Sequence, residues 1–307
     1  MSTRKLKFHI LDVFTTTRYL GNPLAIVHVP ASESQNLTQE QKLQIAREFN
    51  LSETVFLHEN LPGATSDGGH VRIDIFTPKE ELSFAGHPTI GSSWFVLTST
   101  ERDGGNRREV TLQTKAGNIP AVLRESGRVR LQVPIDFKAH KPIPIPSFKS
   151  AQSNLRAGDY ANGLDGAEGV ASVVKGTTFV LLELTSEDAL KRVQGVDMTL
   201  DVPWLEDWKG RSVGLYTFYE REDGVVRTRM MRGTFEDAAT GSAASTLGGW
   251  LGKRKGPGKW VIEMVQGVEM GRRSEIEVRV QVDNDGGIQG IELGGEAVHV
   301  AEGFINV

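Results

Sequence analysis

Alternating and clustered apolar positions predict a chain built mainly of short β-strands, with a few helices between them. The segments typical of strands are 7–14, 23–29, 54–57, 71–75, 177–184, 215–220 and 225–231. A helix is predicted from Thr38 to near Asn50, because Thr38 and Gln41 match a capping box and an apolar stripe follows them. A shorter helix is predicted over 187–193.

Two further helices are predicted that carry almost no charge. One is expected to begin at Pro88, the first helical position, and it has no charged residue before Glu101. The other follows Asp237 and runs through small residues to Leu251. A helix without a charged face is typical of one that is surrounded by protein.

The approaches to these two helices share a form, at a spacing of 155 positions. Each has an acidic residue (Glu81 or Glu236), a short loop and then a glycine (Gly86 or Gly241). Prolines at 134, 142, 144 and 146 lie between the two copies and predict an extended interdomain linker. We therefore expect an α+β protein of two similar half-domains, each a mostly antiparallel β shell around one central helix. The expected boundaries are 1–130 and 131–296, with a last strand at about 297–307 able to return to the first half.

Composition excludes several classes of function. The chain has 307 residues, a formal net charge of −4 and no cysteine, which removes thiol nucleophiles, disulfides and thiolate metal sites. Nothing indicates nucleic-acid binding, and no stretch is long and apolar enough for a membrane span. The seven histidines are dispersed in sequence, so no metal site is predicted, and no phosphate-binding glycine motif indicates a cofactor. We expect a cytoplasmic protein.

Three residues and two helix N-termini could carry chemistry, and each has a plainer interpretation. Glu53 heads an apolar strand, where partial desolvation would favour the protonated form that a proton-transferring acid needs; a surface glutamate is the alternative. His87 could relay a proton or be a buried cap, and Asp237 could bind a substrate amine or hydroxyl or cap its helix. The helix N-termini at Gly86 and Gly241 suit a carboxylate or an enolate-like oxygen, or are simply tightly packed.

Motifs in a fixed order along nearly the whole chain give these residues a context. They are Asp12-Val13-Phe14, Gly21-Asn22-Pro23, Leu51-Ser52-Glu53-Thr54, Phe76-Thr77-Pro78, Leu82 to Pro88, Glu236 to Ala244, Gln266-Gly267 and Gly271-Arg272. In this set the chain resembles the phenazine-biosynthesis PhzF-like isomerases, which share the diaminopimelate epimerase fold. The best-known reaction of that family isomerises trans-2,3-dihydro-3-hydroxyanthranilate.

The resemblance implies pseudo-symmetric half-domains with the active site between them, a small-molecule substrate, no cofactor and a homodimer. It implies that Glu53 removes a proton from one carbon and returns it to another. By the same match His87 and Asp237 join Glu53 as catalytic residues, and the remaining substrate contacts come from Ser52, Gly86, Gly241 and Ser242.

Epimerases of the same fold place a cysteine before each of the two helix glycines, whereas this chain has Ala85 and Thr240 there. Two-thiol epimerisation is thereby excluded, and one shuttling carboxylate predicts an isomerase. Ala238 and Arg273 stand where the family usually has proline. Two alternatives remain: a binding protein without catalysis on the same scaffold, and a racemase that works without thiols.

Overall fold

The computed structural model describes residues 4–34, 36–59, 69–102, 107–208, 210 and 213–307. Within these ranges the α-helices are α1 (Gln39–Phe49), α2 (Gly86–Arg102), α3 (Pro146–Ala151), α4 (Glu187–Arg192) and α5 (Gly241–Lys255). Short 3₁₀ segments lie at Ala157–Asp159 and Pro203–Trp208. None of the described helices is long and apolar enough to cross a membrane.

The strands are named in chain order. Those of the first half are β1 (Lys5–Val13), β2 (Asn22–Val29), β3 (Thr54–His58), β4 (His70–Phe76), β5 (Glu81–Leu82), β6 (Glu109–Thr114), β7 (Gly117–Leu123), β8 (Val129–Gln132) and β9 (Lys138–Pro144). Those of the second half are β10 (Ala167–Val174), β11 (Thr177–Glu183), β12 (Gly214–Glu220), β13 (Val226–Arg232), β14 (Phe235–Asp237), β15 (Gly258–Gln266), β16 (Ser274–Val282), β17 (Ile288–Gly295) and β18 (Ala297–Asn306).

The chain forms two compact units. The first contains Met1–Gln132 together with Gly294–Val307, and the second contains Val133–Leu293. In the first unit β1 pairs antiparallel with β2, β2 parallel with β3, β3 antiparallel with β4, β4 parallel with β6, and β6 antiparallel with β7. The short strand β5 adds to β4.

The second unit repeats this pairing pattern step for step. There β10 pairs antiparallel with β11, β11 parallel with β12, β12 antiparallel with β13, β13 parallel with β15, and β15 antiparallel with β16. The short strand β14 adds to β13, as β5 adds to β4. The shared pattern, with two parallel pairings at the same places, confirms the predicted α+β architecture of mostly antiparallel shells.

Strands β18 and β9 occupy corresponding places in the two units. Strand β18 pairs antiparallel with β1 in the first unit, and β9 pairs antiparallel with β10 in the second. The prediction of an interdomain linker over 134–146 is therefore wrong for most of that segment. Strand β9 pairs with β10 with a register shift, and proline is compatible with strand positions at bulges or where the ladder does not need the N–H group. Pro146 occupies the first turn of α3, where a missing N–H costs little.

Each unit places its uncharged helix against its own strands. In the first unit α2 packs on β1, β2, β3, β6, β7, β8 and β18, and in the second α5 packs on β10, β11, β15 and β16. Ile90 and Leu97 of α2 are fully buried. Small residues let the strands approach: a Cβ on Gly91 would lie 2.6 Å from Leu24 Cδ2, and one on Gly248 would lie 2.5 Å from Val278 Cγ1.

The ends of these helices differ in one respect from the prediction. Helix α2 begins at Gly86, two residues before Pro88, so His87 lies inside its first turn. Proline is compatible with this position because first-turn N–H groups have no partner within the helix. At the other end of the second unit's helix, the basic run Lys253 to Lys255 is exposed, as a solvated helix terminus should be.

Candidate active site

The central feature of the first unit's candidate site is a contact between Glu53 and His87. Glu53 immediately precedes β3, and His87 lies in the first turn of α2. His87 Nδ1 is 3.4 Å from Glu53 Oε2, and the side chains are only 5% and 18% exposed. The glutamate is therefore partly desolvated, as the sequence predicts, and it touches the one imidazole that the same motif set singles out.

His87 is held in its neutral form. Burial lowers its pKa to about 3, against an ordinary value of 6.5, although a hydrogen bond to the Pro23 carbonyl acts in the opposite direction. At neutral pH the contact with Glu53 is therefore an imidazole–carboxyl contact and not an ion pair. His87 Nε2 is buried without a hydrogen-bond partner within the described protein. Leaving such a group without a partner costs stability, so its position at this site calls for an explanation.

Ser52 lies beside Glu53 and is joined to β2. Its hydroxyl donates to Asn22 Oδ1 at 3.4 Å, a long hydrogen bond, and Asn22 is 3% exposed. Asn22 and Pro23 begin β2, which pairs parallel with β3. The loop before β3, the start of β2 and the first turn of α2 thus position Ser52, Glu53 and His87 together.

In the second unit the corresponding loop presents Asp237 to the start of α5. Asp237 ends β14 and is half-buried, and the Thr240 hydroxyl donates to its Oδ2 at 2.5 Å. Thr240 is the N-cap residue of α5, but its side chain makes no cap hydrogen bond because it is engaged with Asp237. Gly241 and Ser242 follow as the first helical residues, with Gly241 buried and Ser242 half-buried.

A buried amide fixes this loop. Gln266 Nε2 donates to the Asp237 carbonyl at 2.8 Å and to Thr240 Oγ1 at 3.2 Å. Gln266 Oε1 accepts from the Thr240 N–H at 3.3 Å and from the Tyr216 hydroxyl at 3.0 Å. The Tyr216 oxygen is also 2.9 Å from Thr228 Oγ1. Because all four hydrogen-bonding positions of the amide are used, the path from Tyr216 to the Asp237 carboxylate is fully connected.

Helix α5 begins without a side-chain cap hydrogen bond, unlike α1 and α4. Thr38 caps α1 with a complete capping box, as predicted, and Ser186 caps α4. Helix α2 follows Ala85, which has no polar side chain, and neither α2 nor α5 has an acidic residue in its first turn. Their first N–H groups and positive dipole ends are consequently suited to an anionic group of a ligand.

The predicted site residues therefore fall into two sets. In the first unit Ser52, Glu53, Gly86 and His87 lie together; in the second Asp237, Gly241 and Ser242 lie together. Sequence reasoning missed the supporting residues Asn22, Tyr216 and Gln266. Membership of the motif Gln266-Gly267 is the only sequence feature that points to Gln266. Tyr216 looks in sequence like any other residue of an apolar strand.

Folding also brings together side chains that are distant in sequence. The histidines are dispersed in sequence, but folding brings His9 and His299 together with Glu302, so that one ligand atom of each lies within 4.8 Å of the others. The strands that carry them, β1 and β18, are at opposite ends of the chain.

Comparison with known proteins decides the family. The model of the family described as phenazine biosynthesis-like protein (PhzC-PhzF) matches residues 11–303. The chain belongs to this family. Among curated members, a trans-2,3-dihydro-3-hydroxyanthranilate isomerase of Pseudomonas aeruginosa is 31% identical over 303 residues, covering 97% of this chain and 98% of the relative. An uncharacterised isomerase of Pasteurella multocida is 33% identical over 309 residues, covering 98% of this chain and 94% of the relative.

The family's fold is also that of this chain. A crystal structure of a PhzF-family phenazine biosynthesis protein from Bacillus anthracis superposes with a TM-score of 0.79 at 21% identity, covering 99% of this chain and 100% of the other. The predicted diaminopimelate epimerase-like fold is confirmed by this likeness. With its near full-length match to members named as isomerases, the chain is an isomerase of the PhzC-PhzF family.

Proposed function

We propose that the chain isomerises a small carboxylate-bearing substrate by moving one proton between two carbons, with Glu53 as the acid–base group. The observation that carries the proposal is the partly buried Glu53 carboxyl, in contact with an imidazole that burial keeps neutral. Trans-2,3-dihydro-3-hydroxyanthranilate, the substrate named for the Pseudomonas aeruginosa relative, is the first candidate.

The proposed step begins with the ionised Glu53. The carboxylate takes a proton from a substrate carbon, the electron pair of the broken C–H bond moves into the conjugated system, and the protonated Glu53 then delivers a proton to the second carbon. No atom is gained or lost overall. A neutral His87 serves this cycle better than an imidazolium, because a fixed positive charge 3.4 Å away would stabilise the carboxylate and weaken it as a base.

The remaining site residues are proposed to bind the substrate. Negative charge that develops as the proton leaves would be stabilised by the first-turn N–H groups of α2, which include that of Gly86. Gly241 and Ser242, at the uncapped start of α5, would bind a carboxylate. Asp237, which the Thr240 hydroxyl orients, would accept a hydrogen bond from a substrate amine or hydroxyl.

The absence of cysteine supports a mechanism without thiols. The positions before the two helix glycines are Ala85 and Thr240, and neither side chain transfers protons at neutral pH. We further propose that the enzyme works without a cofactor, in the cytoplasm and as a homodimer. Light scattering after size-exclusion chromatography tests the dimer directly: a mass near twice 33.6 kDa supports it, and a mass near 33.6 kDa contradicts it.

Steady-state kinetics on the candidate substrate test the role of Glu53. Glu53→Gln keeps the side chain's size and removes its ability to exchange the proton, so kcat should fall by about 10²- to 10⁴-fold with little change in KM. Glu48→Gln on the exposed face of α1 is the matched control and should leave both constants unchanged. Asp237→Asn should instead act largely on KM.

Three outcomes would overturn the proposal. Unchanged kcat in Glu53→Gln would remove the carboxylate from the chemistry. Interconversion of the two enantiomers at one stereocentre, without migration of a double bond, would show a racemase in place of an isomerase. If none of a panel of cyclic amino and hydroxy acids is turned over although some bind, the scaffold serves as a binding protein.

A further inference from the structure

Three of the chain's seven histidines lie together at one end of the first unit's sheet. His9 on β1 has its ring centre 5.0 Å from that of His28 on β2 and 5.1 Å from that of His299 on β18. The rings of His9 and His28 both pack on Phe95 of α2, at 4.6 and 5.5 Å. None of these residues belongs to the candidate active site.

Strand pairing accounts for the cluster. In the antiparallel pair of β1 and β18, His9 lies opposite Glu302, and Leu11 lies opposite His299, with a register shift between them. Side chains of opposed residues share a face of the sheet, and so do His9 and Leu11, which are two positions apart on β1. His9, His299 and Glu302 therefore point to the same side. Because β1 and β18 are the first and last strands, no sequence spacing could announce this arrangement.

The donor atoms lie close enough to share one ion. His9 Nδ1 is 2.9 Å from His299 Nε2 and 3.6 Å from Glu302 Oε2. Around a tetrahedral zinc ion with bonds of about 2.0–2.1 Å, ligand atoms are separated by roughly 3.3 Å. Relative to His9 Nδ1, the His299 nitrogen therefore needs to move away by about 0.4 Å and the Glu302 oxygen to approach by about 0.3 Å; all three atoms lie within 4.8 Å of one another.

The geometry points to a divalent metal site formed by His9, His299 and Glu302, selective for zinc-like first-row ions. Two imidazole nitrogens and one carboxylate suit Zn²⁺ and its neighbours, and not Mg²⁺ or Ca²⁺, which prefer oxygen. Glu302 is 55% exposed, so water can complete the coordination. Packing of His9 on Phe95 and His28 holds its ring in place, as outer groups commonly do around metal ligands.

One neighbouring cation opposes the ion. Lys7 Nζ lies 2.9 Å from Glu302 Oε2, so it holds the carboxylate that would bind the metal and repels an incoming positive charge. The site also has a consequence for the fold, because the ligands come from both β1 and β18. An ion bound there links the last strand of the chain to the first, and should slow hydrogen exchange of β18 backbone amides.

Titration of the full-length protein with Zn²⁺ by calorimetry tests the site. We expect one equivalent to bind, a higher Tm, and a tetrahedral d–d absorption spectrum when Co²⁺ replaces Zn²⁺. His299→Ala and Glu302→Gln should each weaken Zn²⁺ binding by at least 10-fold. Lys7→Met should strengthen it, which a merely nonspecific association would not show. His70→Ala, which removes an exposed histidine of β4, is the matched control.

Clear results would overturn the proposal. They are no saturable Zn²⁺ binding, or Zn²⁺ binding that is equal in His299→Ala, Glu302→Gln and the wild type. A loss in His70→Ala as large as that in His299→Ala would equally refute it. Glu302 is exposed, so Glu302→Gln should fold even if a change at His299 does not, and circular dichroism verifies this for each variant.

Discussion

Acidification should destabilise the protein through His87, and removing that imidazole should reduce the effect. Burial lowers the pKa of His87 to about 3, whereas the unfolded chain binds the same proton near the ordinary value of 6.5. The unfolded state therefore takes up more protons as the pH falls. The stability that comes from keeping His87 neutral is fully present above about pH 6.5 and is lost progressively between pH 6.5 and 3.

The size of the effect follows from the same two values. One pH unit corresponds to about 1.4 kcal/mol for a single proton, and pH 5 lies about 1.5 units below the ordinary pKa of histidine. Folded His87 is still neutral there. Between pH 7 and 5 the free energy of unfolding should therefore fall by about 2 kcal/mol through this residue alone. His87→Asn has no titrating ring and should lack this part of the pH dependence.

Urea unfolding followed by circular dichroism at pH 7 and pH 5 measures the difference. Other groups titrate in both proteins, so their contributions cancel when the pH-induced losses are compared. The wild type should lose about 2 kcal/mol more than His87→Asn, whatever the variant's absolute stability. His70→Asn on β4 should follow the wild type. Equal losses in the wild type and His87→Asn would refute the conclusion that burial holds this imidazole neutral.

Three further changes test packing and support. Gly91→Ala places a methyl group 2.6 Å from Leu24 Cδ2, so thermal unfolding should show a loss of stability of about 1–3 kcal/mol, although alanine is the better helix former. A gain in stability would contradict this close packing. Tyr216→Phe removes one donor to Gln266 and should lower stability by about 1 kcal/mol and raise KM. An unchanged KM would show that the hydrogen bonds around Gln266 do not support substrate binding. Thr38→Ala removes the α1 cap and should cost about 1 kcal/mol with kinetics unaffected, and altered kinetics would contradict a purely structural role.

Features with a local signal could be predicted from sequence. As expected, α1 begins at the Thr38 capping box and ends at Asn50, whose φ is 50°. The lack of charge in the two central helices indicates their burial, because the rule depends only on composition along one element. Glu53 could be singled out only because it belongs to the ordered motif set, since a glutamate at the entrance of a strand is common in itself.

Features that depend on pairing distant segments could not be predicted. Alternating prolines around Pro142 resemble a linker, and only the partner β10 makes that segment the strand β9. Gln266 becomes a support for Asp237 only when β15 lies beside the loop before α5. His9 and His299 are 290 positions apart, and their contact exists only because β18 returns to β1.

Isomerisation in D₂O tests the role of Glu53 most directly. In the proposed cycle Glu53 holds the abstracted proton only while the intermediate is bound, so exchange of that carboxyl proton with solvent should place deuterium on the receiving carbon of the wild-type product, as seen by NMR and mass spectrometry. Glu53→Gln should form essentially no product and exchange no substrate C–H, while Glu48→Gln should match the wild type. Deuterated product formed by Glu53→Gln at the wild-type rate would contradict the carboxylate shuttle.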